Sequence, residues 1–499
     1  MAHCVTINPL FSQLRPLALA SVLLFAGPLG AASGPVLGGD NRHDALPDIG
    51  TAAIDTLSLE KERQLGAAYM MFLRGSAPIA DDPVLNEYIT DLGYRLLRQA
   101  DRLDQPFRFF LVNNPEINAF AFFGGYVGLH TGLFLFTGNE SELASVVAHE
   151  IAHVTQRHLA RMMAEQERNT PLTLAGVLGA IALAVVAPGA GMAGMSATMA
   201  AGQQASINFT RQHEQEADRI GMRMLTSAGF DAWGMPDFFA KMAAQFRFAS
   251  KPPAMLLTHP LPDARISDSR NRAADFPRQG ARREPLFQLA RARVVVRFGT
   301  ADLPALAKRL GEQLARGERP FAEASEYAYA LALTDAKRYA DARKVLMPLL
   351  KEAPDNPFYL DTLADIAVGS GDYAEAEKRL RAAGEMRPNN AVISLNLANL
   401  LMSAGRYAEA AALLEGYRQQ QPEDALVPGM LETCYGKLGQ EARMYQWRGE
   451  RLAQVGNFPL AIDALQQAHR LYRDNEIEQM RLEARIGQFR EQALWLKSL

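Results

Sequence analysis

Two histidines one helical turn apart, with a glutamate between them, are the residues of this chain best suited to chemistry: Ala148-His149-Glu150-Ile151-Ala152-His153. Side chains at i and i+4 lie one above the other on a helix, and two imidazoles at that separation can both reach one tetrahedral ion. Glu150 is offset by one position, so it flanks the ion without entering its coordination sphere. A carboxylate placed there suits a general base, taking a proton from an activated water and returning it to a leaving amine. The same five-residue pattern also arises by chance on amphipathic helices, so the chemistry requires a third ligand. Cysteine does not supply it: the two present, Cys4 and Cys434, lie in the terminal regions and form neither a disulfide framework nor a thiolate site. The donors must be His, Asp and Glu, and six of the nine histidines (His130, His149, His153, His158, His213, His259) fall between residues 130 and 259.

The segment Thr210 to Thr226 has helical spacing and gathers His213, Glu214, Glu216 and Asp218 in its first turns. Glu214 and Asp218 are i and i+4 and share a face, while Glu216 points roughly the other way. A carboxylate ligand from Glu214 completes a set of two His and one Glu, which leaves a fourth position open for water. Asp218 then lies close enough to orient a ligand imidazole through its other N–H, or to assist proton transfer. Taken alone, such a cluster is ordinarily a solvated acidic face; the H-E-x-x-H on a separate helix shifts that balance.

These side chains need elements to hold them. Asn139 and Glu142 form a capping-box start for the motif helix, which is expected to run to about Glu165. His158, five positions beyond His153, falls off the ligand face and reads as a surface or packing histidine. Phe107 to Val112 is a strand by composition, and Ile117 to Phe136, broken at Gly124-Gly125, reads as strand, turn, strand. A strand beside the motif helix can present an open edge to an extended peptide. Ahead of it, a helix from Leu57, capped by Ser58, places Leu65, Tyr69 and Phe72 at helical spacing, and a second covers about Asp82 to Ala100. Leu172 to Met199 carries no charge but is interrupted by five glycines and Pro188, so it reads as a flexible apolar hairpin near the site rather than a span. Peripheral contact with a membrane or an unfolded client is the competing reading.

At 499 residues, two domains are the default expectation, and 48% hydrophobic with 21% charged residues describes globular protein. A net charge of −3 gives no reason to expect nucleic acid. Arg15, the apolar run from Pro16 and the small residues Ala31-Ala32-Ser33-Gly34 form an export signal over residues 1–33, cleaved near Ala32; an uncleaved anchor is the alternative. Downstream, Tyr339, Tyr373 and Tyr407 recur every 34 residues, as do Ala342, Ala376, Ala410 and Pro354, Pro388, Pro422. That period and composition describe tetratricopeptide repeats, helix pairs that stack into a partner-binding solenoid. The register fades after Pro422 and restarts out of phase near Gly456.

H-E-x-x-H followed by Glu214-x-x-x-Asp218 resembles the membrane-associated gluzincins that include HtpX and the CAAX prenyl endopeptidases. The resemblance is closer to their periplasmic members with tetratricopeptide repeats, the beta-barrel assembly-enhancing proteases. It is carried by Leu46 to Gly50, Arg74 to Pro78, Ile117 to Gly125, Ala148 to Arg161, Glu214 to Gly221 and Leu257 to Arg265, and covers nearly the whole mature chain. It implies one Zn2+ held by His149, His153 and Glu214, with Glu150 as general base and Asp218 as a supporting or proton-donating residue. His259, in a Thr-His-Pro loop, resembles the histidine that stabilises the oxyanion in related gluzincins; alternatively it fills the fourth zinc position and keeps the enzyme latent. Arg265 is a candidate for positioning that loop or binding substrate. The expected fold is mainly α (α+β): a zincin-type protease domain with a small sheet over residues 34–283, then an α-solenoid over 284–499. The resemblance further implies a periplasmic enzyme whose clients are outer-membrane beta-barrel proteins, with the barrel-assembly machinery reached through the repeats. Two rivals remain: a non-proteolytic chaperone or scaffold with a latent zinc site, and a general peptidase whose repeats serve oligomerisation.

Overall fold

The computed structural model describes residues 57–100, 103–169, 203–250, 252–278, 284–299 and 302–498. Residues 1–33, expected to be an export signal, Leu46 to Gly50 and the apolar stretch 172–199 lie outside them. Among the described residues no helix is long and apolar enough to cross a membrane.

Helix α1 (Leu59–Ser76) starts where Ser58 accepts the Lys61 N–H, and it buries Leu65, Tyr69 and Leu73, an i, i+4, i+8 stripe. Phe72, expected in that stripe, is half exposed. Helix α2 (Pro83–Leu97) is capped by Asp82 and has Pro83 in its first turn, where the missing N–H costs nothing. Three strands follow, β1 (Arg108–Val112), β2 (Ala119–Phe122) and β3 (Tyr126–His130), in the order β1-β3-β2. β3 pairs parallel to β1 and antiparallel to β2. The β2–β3 connection is tight because Gly124 and Gly125 adopt φ of 77° and 78°. A side chain on Gly125 would also meet the Pro106 carbonyl at 2.1 Å. β2 is an edge strand that packs on the motif helix, as expected.

Thr131–Phe136, expected to prolong the strand, is instead helix α3. Thr131 Oγ1 donates to the Asn114 carbonyl and the Gly132 N–H to the same oxygen, which turns the chain out of the sheet. The motif helix α4 (Glu140–Thr155) stops ten residues short of its expected end, and α5 (His158–Asn169) begins after a break. Arg157 stands in the break with φ 53°, its buried guanidinium bonded to Glu62 and the Leu57 carbonyl. Helices α6 (Gln203–Ser227), α7 (Gly234–Phe246), α8 (Ala254–Thr258) and α9 (Asp263–Ala273) complete the region around the motif.

His130, at the end of β3, is fully buried. Burial pushes its pKa down to about 4, with the nearby Glu116 backbone opposing the shift. The unfolded chain therefore binds this proton more readily, so the stability that neutral His130 contributes is present above about pH 6.5 and is lost as pH falls through about 4. Full loss amounts to roughly 3 kcal/mol. Thermal melts between pH 7.5 and 4 are expected to show this acid limb, and His130→Leu is expected to flatten it.

From α10 (Pro285–Arg297) the chain is helical throughout: α11 (Leu303–Ala315), α12 (Ala322–Asp335), α13 (Tyr339–Glu352), α14 (Pro357–Ser370), α15 (Ala374–Met386), α16 (Ala391–Ser403), α17 (Tyr407–Gln420), α18 (Val427–Lys437), α19 (Glu441–Gln454), α20 (Phe458–Leu471) and α21 (Glu476–Ser498). The periodic residues have distinct jobs. Tyr339, Tyr373 and Tyr407 stand at the starts of α13, α15 and α17; Ala342, Ala376 and Ala410 are buried one turn later; the three prolines sit in the turns after these helices. The Tyr339 ring lies so close over Gly369 that a side chain there would meet it at 2.2 Å.

The solenoid does not stand apart from the protease region. One hydrophobic cluster runs from Ala80, Leu85 and Ile89 through Ile151 to Leu331, Leu363, Leu400 and Trp447. Polar contacts follow the same seam: Arg293 Nε meets Asp82 Oδ2 at 2.7 Å, and Asn390 Nδ2 donates to Glu87 Oε2 at 2.8 Å. At the far end Lys61 lies over the ring of Trp495, 5.4 Å from its centroid. The C-terminal helices thus pack on α1 and α2, and part of the surface they could offer a partner is taken by the chain itself.

Candidate metal centre

Helices α4 and α6 pack directly against each other. Gly221, two turns beyond Glu214, lets them approach: a side chain on it would come within 3.1 Å of the His149 backbone nitrogen. This close passage brings the first turns of α6 across the ligand face of α4. His149 Nε2 and His153 Nε2 are 3.0 Å apart, and each is 3.4 Å from a different oxygen of Glu214. His259, at the end of α8, brings Nδ1 to 3.0 Å from Glu214 Oε1 and 3.4 Å from His149 Nε2. One donor atom from each of these four residues lies within 4.8 Å of all the others. Glu150 is buried beside them, with Oε1 3.6 Å from His259 Nε2.

Asp218 does not join the cluster but stands behind it, Oδ1 3.0 Å from His149 Nδ1. Arg265, from α9, closes the arrangement. Its Nε and Nη2 each donate to Asp218 at 2.7 Å, Nη1 meets Glu214 Oε2 at 2.7 Å, and Nη1 also holds the Pro260 carbonyl at 2.8 Å. One buried guanidinium therefore fixes Glu214 and Asp218 of α6 and the loop that carries His259.

The profile of Peptidase family M48 matches residues 83–273, and a tetratricopeptide-repeat profile matches residues 367–431. A Yersinia pestis protein named beta-barrel assembly-enhancing protease is 50% identical over 70% of this chain and 72% of its own length. This chain belongs to the beta-barrel assembly-enhancing protease family. The Escherichia coli K12 member is 49% identical over 65% of this chain and 67% of its own. A plant relative, the mitochondrial metalloendopeptidase OMA1 of Arabidopsis thaliana, is 32% identical over 26% of this chain and 25% of that protein. The chain is a metalloprotease of the M48 family carrying tetratricopeptide repeats.

The electrostatics of this M48 site suit a cation. Burial works against charge on every group, and neighbours decide the sign. For His149, burial is outweighed by hydrogen bonds to Asp218 and Glu214, which lift its pKa to about 10. For His153, burial dominates and holds the imidazole well below its ordinary value. Burial opposes ionisation of Glu214 too, yet His259 and the bonds to all three histidines keep its carboxyl well below the usual range. Asp218 is likewise held low, by Arg265 and His149 against burial. Three imidazole nitrogens facing one another around an ionised carboxylate cannot all carry protons, and bare lone pairs at these distances repel unless a cation lies among them. Glu150 Oε1, buried with no hydrogen-bond donor, is a further unmet acceptor at the same place. The residues present fit a metal ion.

Of the residues singled out in the sequence, His149, His153, Glu214 and His259 lie together, and Glu150, Asp218 and Arg265 lie against them. Two others were not anticipated. His158, read as a surface or packing histidine, is buried, and its Nδ1 is 2.9 Å from Nδ1 of the ligand candidate His153. Glu216 meets His158 Nε2 at 3.2 Å. Helical spacing alone gave no hint of this, because the break at Arg157 redirects His158 toward α4.

Proposed function

We propose that this metalloprotease is a zinc endopeptidase of the periplasm that degrades misassembled outer-membrane beta-barrel proteins and assists productive ones, with clients and the barrel-assembly machinery engaged through the repeats. The convergence of His149, His153 and Glu214 beside a buried Glu150 carries the chemical half of this reading. The name that its relatives carry and the expected export signal over residues 1–33, with cleavage near Ala32, support the client and the compartment. The protease portion is taken as 34–283 and the solenoid as 284–499.

His149, His153 and Glu214 would hold the zinc, one ion per chain. When bound, zinc supplies Lewis-acid polarisation of the scissile carbonyl and makes a water acidic enough to react near neutral pH. Glu150 accepts the proton of the attacking water and delivers it to the leaving amine. Asp218, through His149 Nδ1, keeps that ring turned to the ion, and Arg265 keeps Asp218 ionised. An apolar cavity lined by Val146, Met235, Phe238, Met242, Met255 and Leu261 adjoins His149 and takes an apolar substrate side chain next to the cleaved bond.

His259 fits the resting state of this reading. Its Nδ1 lies among the donor atoms, and a set of three His and one Glu is closed in the way of structural sites, without a corner for water. Cleavage then begins with withdrawal of the His259 loop, and the space it leaves is the space Glu150 faces. Metal analysis with cleavage of an unfolded substrate tests the assignment. The wild type is expected to hold one zinc and to lose cleavage on chelation, while Glu214→Ala loses both. Full zinc content in Glu214→Ala would remove Glu214 from the ligand set.

A further inference from the structure

The contacts behind His153 extend the site beyond its ligands. His153 Nδ1 and His158 Nδ1 are 2.9 Å apart, His158 Nε2 is 3.2 Å from Glu216 Oε2, and Arg161 Nη1 holds the same Glu216 oxygen at 3.0 Å. The imidazole of His213 lies flat against that of His158, ring centroids 4.2 Å apart and 9° from parallel. His158 is therefore confined on its edge by two partners and on its face by a third. It reaches this position because the chain breaks at Arg157, which is itself anchored to Glu62.

We propose that His158 and Glu216 are positioning residues for the metal ligand His153, a hydrogen-bonded relay that fixes its tautomer and the direction of its lone pair. This rests on the assignment of His153 as a ligand. Only one distribution of protons then satisfies every contact. With the Nε2 lone pair of His153 given to the metal, its proton is on Nδ1 and is donated to Nδ1 of His158. The proton of His158 is consequently on Nε2, where it is donated to Glu216, and Arg161 holds that carboxylate ionised. His149 is served differently, by the carboxylate of Asp218 itself, whose Oδ1 lies 3.0 Å from its Nδ1. The two ligands from one helix are thus oriented from both flanks by acidic residues of α6, Asp218 on one side and Glu216, through an imidazole, on the other. Such outer contacts set ring orientation and ligand basicity, and their loss typically weakens metal binding by roughly 10–100-fold.

Zinc affinity of the full-length protein, read by competition with a chromophoric chelator at fixed pH, tests this without recourse to activity. His158→Phe keeps the ring and its stacking on His213 but removes the acceptor, and is expected to bind zinc roughly 10–100-fold more weakly. Glu216→Ala is expected to weaken binding in the same direction, and Glu216→Gln, which retains an acceptor oxygen for His158, to recover most of the loss. That recovery is what a purely packing role for Glu216 would not give. Zinc binding by folded His158→Phe within twofold of wild type would overturn the proposal. If circular dichroism shows His158→Phe unfolded, equal affinities for Glu216→Ala and Glu216→Gln would overturn it instead. A wild type that binds no zinc would sink the ligand assignment itself, a result distinct from either.

Discussion

Glu150→Gln is expected to leave metal content unchanged and to lower kcat/KM for an unfolded protein or fluorogenic peptide by about three orders of magnitude. General-base assistance typically contributes 10²–10⁴-fold, or about 3–5 kcal/mol of barrier. The substitution is nearly isosteric and removes only the proton-accepting oxygen. Glu150 is buried against the cluster, with Oε1 facing His259 and no donor of its own, so its carboxylate is not spent on holding the fold. The four candidate ligands do not include it, which is why metal and rate should separate. A variant with normal metal and more than a tenth of wild-type turnover would show that another group takes the proton. The variant also separates protease from chaperone: if every effect on client proteins survived in it, the non-proteolytic reading would be preferred.

The pieces of this site that were legible in the sequence are those set by local periodicity. His149 and His153 are one turn apart on any helix, and so are Glu214 and Asp218; the 34-residue step of tyrosine, alanine and proline needs no tertiary information. What was not legible depends on distant contacts. The end of α4 is decided at Arg157, whose partners Glu62 and Leu57 lie almost a hundred residues earlier, and that break makes His158 part of the site. Thr131–Phe136 reads as strand by its aromatics, yet becomes helix because Asn114 captures two of its donors. Arg265 is a candidate in the sequence for positioning the His259 loop or binding substrate, and only the fold shows that it also bridges the two carboxylates Glu214 and Asp218.

The repeats pose the same problem on a larger scale. Periodicity says that each helix pair must bury an apolar face, and it does not say against what. In this chain α10 and α14 bury theirs partly against α2, and the pairing is locked by Arg293. Its side chain is essentially inaccessible, meeting Asp82 at 2.7 Å and Asp361 at 2.6 Å and donating to the Tyr327 hydroxyl at 3.1 Å. Asp361 in turn accepts from Asn396 at 3.0 Å. Burial opposes its charge, but Asp361 and Asp82 hold the guanidinium well above its ordinary pKa.

Arg293→Met therefore keeps most of the volume while leaving two buried carboxylates without their shared cation. Breaking one partner out of such a network typically costs about 3–5 kcal/mol. Because Asp82 caps α2 and α2 packs on the motif helix, the cost is expected to fall on protease and solenoid together. Thermal melting followed by helical signal and by loss of cleavage should shift down in step. Arg338→Met, at an exposed ion pair with Asp341, should leave the melt where it was. Replacing Asp82 and Asp361 by Asn in the Arg293→Met background removes the stranded charges and is expected to recover part of the loss, since the penalty lies in unpaired burial rather than in the absence of the pair. Arg293→Met with an unchanged melt, or with activity and helix lost at separate temperatures, would mean that the solenoid merely rests on the protease. By the same reasoning, truncation near residue 287 is expected to expose the seam and yield an insoluble fragment instead of a free-standing peptidase, because Leu289, Ala290 and Val294 of α10 belong to the hydrophobic cluster that Leu85 and Ile89 complete from the other side.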